Sequence, residues 1–143
     1  HTLSEKDAVR VVSVLGDSTF MHSGLTGLLE MVYNRPATGH VVMVLDNGIT
    51  AMTGLQEHPG TGRLLDHSQA SQVDIAAVAR AIGIEEVIEV DPVKEGAGFT
   101  GIVRNALASR RLVLLLVRRP CLLLKKQLRR IEEATRAGEP SCS

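Results

Sequence analysis

The sequence predicts an α/β fold, a three-layer α/β/α doubly wound and mostly parallel sheet, and three observations predict it. Short β-branched runs alternate with helix-length amphipathic segments, the rhythm of βαβ units. The runs Val41 to Leu45 and Leu112 to Val117 are apolar throughout, as strands covered on both faces require. Apolar residues make up 44% of the 143 residues but aromatic residues only 2%. The core must therefore be built from Val, Leu, Ile, Ala and Met, which suits parallel strands under helices.

Val11 to Leu15 reads as the first strand, followed by a helix from about Ser23 to Tyr33, where Leu25, Leu28, Leu29 and Val32 keep helical spacing, ending before Asn34-Arg35-Pro36. Val41 to Leu45 is the second strand. Between Gly48 and Gln69 the apolar rhythm stops, and Gly54, His58, Pro59, Gly60 and Gly62 mark a long irregular loop. Loops of this length inside a compact domain are usually functional or disordered. A helix over Val73 to Ile82 starts at Ser71 or Asp74 and stops at Gly83, and a strand over Ile84 to Val90 is broken by Asp91-Pro92. Gly98 to Ser109 forms a helix with Phe99, Ile102, Val103, Ala106 and Leu107 on one face, and leads to the strand Leu112 to Val117. A basic helix over about Leu122 to Ala137 and a polar tail, 138–143, complete the chain. Strands and helices in this order imply right-handed crossovers.

Composition narrows the class. The length fits one domain spanning 1–143. Sixteen basic and sixteen acidic residues balance to zero formal charge, which speaks against a nucleic-acid partner or an acidic membrane surface. Lys125, Lys126, Arg129 and Arg130 cluster, but Glu132 and Glu133 follow and Leu124, Leu128 and Ile131 keep an apolar stripe, so the cluster reads as a solvated helix face. The two cysteines, Cys121 and Cys142, lack CxxC or Cys/His spacing, which argues against a structural zinc or a disulfide scaffold. The apolar run at Leu112 to Val117 is too short to span a bilayer and no signal-peptide pattern opens the chain, so a soluble, cytoplasmic protein is expected.

The chemistry gathers at two strand ends. Gly16-Asp17-Ser18 closes the first apolar run and Leu45-Asp46-Asn47 the second. In a parallel sheet, ligands sit outside the carboxyl ends of the strands, so Asp17 and Asn47 should converge. A lone Gly-Asp after a strand is an ordinary turn; the matched pair is what points to a site. Mg²⁺ takes oxygen ligands in octahedral array and shares them among protein, phosphate and water. Asp17 and Asn47 would supply side-chain oxygens, and the turn through Gly48 would let the Ile49 carbonyl face the same ion. Ser18 and Thr19 can offer N–H groups and hydroxyls to a phosphate.

These strings resemble a known family. Gly16-Asp17-Ser18 followed by Asp46-Asn47 is similar to the Gly-Asp-Gly…Asn signature of thiamine-diphosphate enzymes. The longer strings GDSTFMHSGLTGLLEMVYN (16–34) and VLDNGITAMTGLQEHPGTG (44–62) resemble the thiamine-diphosphate-binding domain of the indolepyruvate:ferredoxin oxidoreductase alpha subunit, in the 2-oxoacid:ferredoxin oxidoreductase group. The likeness is strong over 11–62 and looser to about 120. Ser18 departs from the usual third-position Gly but remains small.

The resemblance implies a thiamine-diphosphate-binding fold, with Asp17, Asn47 and the Ile49 carbonyl as Mg²⁺ ligands and Gly16, Ser18 and Thr19 beside the diphosphate. Thr50, Met52 and Thr53 would line the path toward thiazolium and substrate. It further implies oxidative decarboxylation of an aryl-type 2-oxoacid to acyl-CoA, in which the cofactor acts as electron sink. A pyrimidine-binding domain or subunit, iron–sulfur clusters in other parts of the complex, ferredoxin as partner and an oligomeric assembly come with it. Neither Glu30 nor Glu57 matches the family's pyrimidine-activating position, so the chain alone is expected to be inactive. Opening on His1, it is expected to be an excised domain or one part of a larger enzyme.

His58, in the His58-Pro59-Gly60 turn, is the one candidate for catalysis, as an acid, base or carboxylate binder over the substrate; the plainer reading is a turn with a solvated imidazole. His22 reads as packing or interface, and Phe20 and Phe99 as core or interface anchors. Two alternatives share the domain: a non-oxidative 2-oxoacid decarboxylase of the sulfopyruvate or phosphonopyruvate type, and a non-catalytic assembly domain. The retained Asp17 and Asn47 pair speaks against the second.

Overall fold

Among the described residues four parallel strands form one sheet in the order β1-β2-β4-β3: β1 (Val11–Gly16), β2 (His40–Asp46), β3 (Glu86–Val90) and β4 (Leu112–Arg118). The structure is a computed structural model and describes residues 11–35, 39–51, 54–66 and 68–122. β2 pairs with β1 from Val11↔His40 to Gly16↔Leu45 and with β4 from His40↔Leu112 to Asp46↔Arg118, while β3 pairs only with β4. All four strands run the same way, so one edge of the sheet collects every carboxyl end.

The two apolar faces of the sheet are covered by different helices. Val42, Val44, Leu114 and Leu116 pack with Leu28 of α2 (Leu25–Tyr33) and with Ile75, Ala76 and Ala79 of α3 (Ile75–Ala81). At the alternate positions of the same strands, Val41, Val113, Leu115 and Val117 face Ala106, Ile102, Val103 and Leu107 of α5 (Gly98–Ala108). The strict alternation of these sets is the period-two consequence of the pleat. Helices on both faces of a parallel sheet make the doubly wound, three-layer α/β/α class read from the sequence.

Element boundaries depart from the sequence reading in instructive places. The helix expected from about Ser23 begins directly after β1, as α1 (Asp17–Thr19), and runs through a π-helical turn (Phe20–Gly24) into α2. The 17–22 stretch has no apolar stripe to betray a helix; its one fully buried apolar side chain, Phe20, docks it on the core. π-Helical turns commonly mark functional segments. The α3 start is decided by Asp74, whose carboxylate accepts the N–H groups of Ala76 and Ala77 at 2.8 and 3.3 Å. Asp91-Pro92 ends β3 as expected, but Asp91 also caps a short helix, α4 (Pro92–Glu95), with Pro at its first position.

The segment between β2 and α3 is held by its own backbone bonds, among them Thr50 N to Gln56 O at 3.0 Å, Ala70 N to Gly62 O at 2.9 Å and Val73 N to Pro59 O at 2.9 Å. Met52, Thr53, His67, nearly all of the basic helix expected over 122–137 and the tail 138–143 lie outside the described residues. Among the described residues no helix is long and apolar enough to cross a membrane.

Candidate functional site

The sheet register places Gly16 opposite Leu45 and Asp46 opposite Arg118, so Asp17 and Asn47, just past the ends of adjacent strands, stand at the same edge. Asp17 is the centre of the site. Its side chain is only 3% exposed. Oδ1 accepts the Ser18 N–H at 2.8 Å and Oδ2 accepts the Gly48 N–H at 2.8 Å, so the carboxylate joins the first helical turn to the turn after β2. Gly48 adopts φ +75°, a left-handed conformation that glycine takes without strain. That backbone turn aims its N–H back at Asp17.

Asn47 closes the same turn on itself, its Oδ1 accepting the Ile49 N–H at 3.0 Å in the manner of an Asx turn. Its carbonyl accepts the Cys121 N–H at 3.0 Å, which ties the turn to the chain leaving β4. The loop beyond is fastened to the β1 end a second time, by Thr50 Oγ1 donating to Ser18 Oγ at 2.9 Å. Ile49 is buried and Ser18 and Thr50 are half-buried.

His58 does not stand free in solvent at the tip of its turn. Its side chain is 1% exposed, its Nδ1 accepts the Gly60 N–H at 3.2 Å, and its Nε2 lies 3.4 Å from Asp17 Oδ2. Burial by itself would raise the Asp17 carboxyl, but His58 and the N–H groups of Ser18 and Gly48 outweigh it and hold the group below the ordinary aspartate value.

Asp46 behaves in the opposite sense. Its Oδ1 also takes the Gly48 N–H, at 3.2 Å, and its Oδ2 pairs with Arg118 Nε at 2.7 Å. Burial, with the neighbouring Asp17 charge, raises this carboxyl despite Arg118. Two carboxylates thus share one backbone N–H. Beside them opens a cavity of about 260 Å³ lined by Asn47, Gly48, Thr61, Arg63, Gln72 and Arg118, among others. Arg63 enters it held by Glu57 at 2.8 Å.

Of the residues singled out from the sequence, Gly16, Asp17, Ser18, Asn47, Ile49, Thr50 and His58 come together here. Thr19 lies one residue on, in the first helical turn, with an exposed side chain. Asp46, Gly48 as a donor, and Arg118 are participants that the sequence reading did not assign. Arg118 follows an apolar strand and had an ordinary reason to be there, as the polar end of a buried run. Among the described residues no three His, Cys, Asp or Glu side chains gather as a metal-binding group. A cation at this edge would rest on Asp17 together with amide and main-chain oxygens.

Comparison with known proteins gives a consistent picture. Residues 2–117 match the family described as thiamine pyrophosphate enzyme, C-terminal TPP binding domain. The chain is 35% identical over 132 residues to the indolepyruvate oxidoreductase subunit IorA of Archaeoglobus fulgidus, covering 92% of this chain and 20% of that protein. It is 39% identical over 126 residues to the subunit of that name from Thermococcus kodakarensis, covering 87% of this chain and 19% of that one. The counterpart from Methanothermobacter marburgensis is 35% identical over 133 residues, covering 93% and 21%. The chain therefore spans about a fifth of the length of the curated relatives it matches.

Proposed function

The chain belongs to the C-terminal TPP-binding domain family of thiamine pyrophosphate enzymes, and from that premise we propose that it is a single domain, residues 1–143, that holds the diphosphate of thiamine diphosphate through Mg²⁺. The ligands in this reading are the Asp17 carboxylate, the Asn47 side-chain oxygen and the Ile49 carbonyl, with Gly16, Ser18 and Thr19 beside the diphosphate. Thr50 lies on the way to the reacting end in this reading, and the resemblance gives Met52 and Thr53, outside the described residues, the same role.

The observation that carries the reading is the Asp17 carboxylate, kept ionised although nearly dry, at the point where two strand ends meet. The donor set fits the ion, because carboxylate, amide and main-chain oxygens are the hard ligands Mg²⁺ takes. One formal negative charge against a dication leaves positive charge for a diphosphate. The fit extends to the paired carboxylates: burial raises Asp46 first and the Asp17 charge adds to it, and a cation relieves that second contribution. When bound, thiamine diphosphate supplies the electron sink for loss of CO₂ from a 2-oxoacid. The residues described here bind and orient its diphosphate end; Asp17 does so without moving a proton.

The larger enzyme in this reading is a cytoplasmic, oligomeric 2-oxoacid:ferredoxin oxidoreductase of the indolepyruvate type. A pyrimidine-binding domain, iron–sulfur clusters and the route to acyl-CoA and ferredoxin lie in its other parts. An apolar patch supports docking of such a partner. Val12, Val14 and Leu45, on the α5 face of β1 and β2, are 41, 58 and 42% exposed.

Calorimetric titration of thiamine diphosphate into the chain tests the site. Binding is expected with Mg²⁺, to be weak in the absence of the partner domain, and to vanish in EDTA and in Asp17→Ala. Unchanged affinity in that variant would overturn the metal assignment. In the reconstituted complex, ferredoxin reduction on an aryl 2-oxoacid is expected; release of aldehyde without reduction would favour a non-oxidative decarboxylase.

A further inference from the structure

We propose that His58 is a positioning residue for the metal site: a neutral imidazole, locked with its proton on Nε2, that anchors Asp17 Oδ2 and leaves Oδ1 to ligate the cation. The proposal rests on the reading of Asp17 as a Mg²⁺ ligand and adds to it which oxygen binds and what holds that oxygen in place.

The tautomer follows from hydrogen-bond inventory. A neutral imidazole has one donor and one acceptor nitrogen. Nδ1 accepts the Gly60 N–H at 3.2 Å and so carries no proton; the ring proton sits on Nε2, which stands 3.4 Å from Asp17 Oδ2. Among the described residues Nε2 has no partner in full hydrogen-bonding geometry, although it is buried. A buried donor with one carboxylate oxygen within reach is an interaction waiting to be tightened, because an unmade buried hydrogen bond costs free energy.

The imidazole cannot swing elsewhere. Its turn is fixed by the Thr61 N–H and Thr61 Oγ1, both donating to the His58 carbonyl at 2.8 and 2.9 Å, by Val73 N–H to Pro59 O and by Gln72 Nε2 to Gly60 O. Gly60 packs closely against the ring. A Cβ there would come within 3.1 Å of Cε1 and 3.2 Å of Nδ1. Such packing also keeps His58 away from the role of an acid or base over substrate, because both nitrogens point into protein.

Counting lone pairs then assigns the ligand atom. Oδ2 receives the Gly48 N–H and faces the Nε2–H, which uses its acceptor capacity. Among the described residues Oδ1 receives only the Ser18 N–H and keeps a lone pair. Asp17 therefore ligates through Oδ1 alone. Residues that orient a ligand in this way are typically worth about 10- to 100-fold in metal affinity.

The test uses the wild-type chain, His58→Leu and His58→Gln, the last of which returns an N–H donor near Nε2. Nitrogen NMR of histidine-labelled wild type is expected to show the Nε2–H tautomer, with Nδ1 as acceptor. The Mg²⁺ concentration that half-saturates thiamine-diphosphate binding is expected to rise about 10- to 100-fold in His58→Leu and to return most of the way in His58→Gln. Binding at saturating Mg²⁺ should recover in both, a split that loss of packing would not produce. A proton on Nδ1, or an unchanged Mg²⁺ requirement in both variants, overturns the proposal even if His58→Leu folds poorly. A wild-type chain with the Nε2–H tautomer but no Mg²⁺-dependent binding instead overturns the metal reading on which it rests.

Discussion

Replacing Asp17 by Asn changes charge and hydrogen-bonding sense at one atom while keeping the shape of a side chain that is 3% exposed. The carboxylate accepts two backbone N–H groups, from Ser18 and Gly48, at 2.8 Å each, and its Oδ2 faces His58 Nε2 at 3.4 Å. An amide has a single acceptor oxygen. Placed at the Oδ2 position it keeps Gly48 and His58, and its NH₂ confronts the Ser18 N–H; placed at the Oδ1 position its NH₂ confronts two donors. The first arrangement is cheaper and still forfeits one charge-assisted hydrogen bond, worth about 1.5–3 kcal/mol. Relief of the buried charge and of its repulsion with Asp46 offsets part of that. The net expectation is a loss of about 1–2 kcal/mol in Asp17→Asn, and about 2–4 kcal/mol in Asp17→Ala, where both donors lose their acceptor and a small cavity opens. Urea unfolding in EDTA measures both without interference from a metal. An Asn variant as stable as wild type, with Ala no worse, would refute the account of Asp17 as the hydrogen-bonding centre of this edge. Calorimetry on the same proteins should show Mg²⁺-dependent cofactor binding lost in both.

Other perturbations probe the scaffold. Phe20→Ala empties a fully buried position on the α2/α3 face and should cost about 3–5 kcal/mol by chemical denaturation; a loss below about 1 kcal/mol would mean that Phe20 does not dock the first helical turn. Gly39→Ala combines φ +80° with a Cβ only 2.5 Å from the Arg110 Cα, so a severe loss of folded protein is expected on expression and denaturation. Gly27→Ala, in α2 with open space around the new methyl, should instead stabilise by about 0.5–1 kcal/mol. Burial lowers the His40 pKa below its ordinary 6.5, and the ring also shares a 2.8 Å hydrogen bond with Ser13 Oγ. The unfolded chain therefore binds the proton more readily than the folded one. Stability should hold above pH 6.5 and decline as the pH falls through 6.5 toward the folded value. His40→Gln should flatten that part of the pH profile in urea titrations, and an unaltered slope would refute the assignment.

Much of the fold could be read from local pattern. The apolar runs of β1, β2 and β4 and the stripe Phe99, Ile102, Val103, Ala106, Leu107 of α5 are set by neighbours in sequence, because burial imposes its period on each element separately. The strand-end rule placed Asp17 and Asn47 at one edge for the same reason: where a parallel strand stops is written in its own residues. Only the tertiary structure decided the rest. Nothing local dictates that β4 inserts between β2 and β3, yet that insertion carries Arg118 to Asp46 and shifts the balance of charge at the site. Nor does the sequence of the long loop reveal that His58 turns inward. His58-Pro59-Gly60 has the composition of a solvated turn, and it is the bonds of Thr61, Gln72 and Val73 to that turn that fold the imidazole against Asp17. Periodicity reports which face of an element is buried, whereas the partner a buried polar atom meets depends on chain segments distant in sequence, and packing alone brings those together.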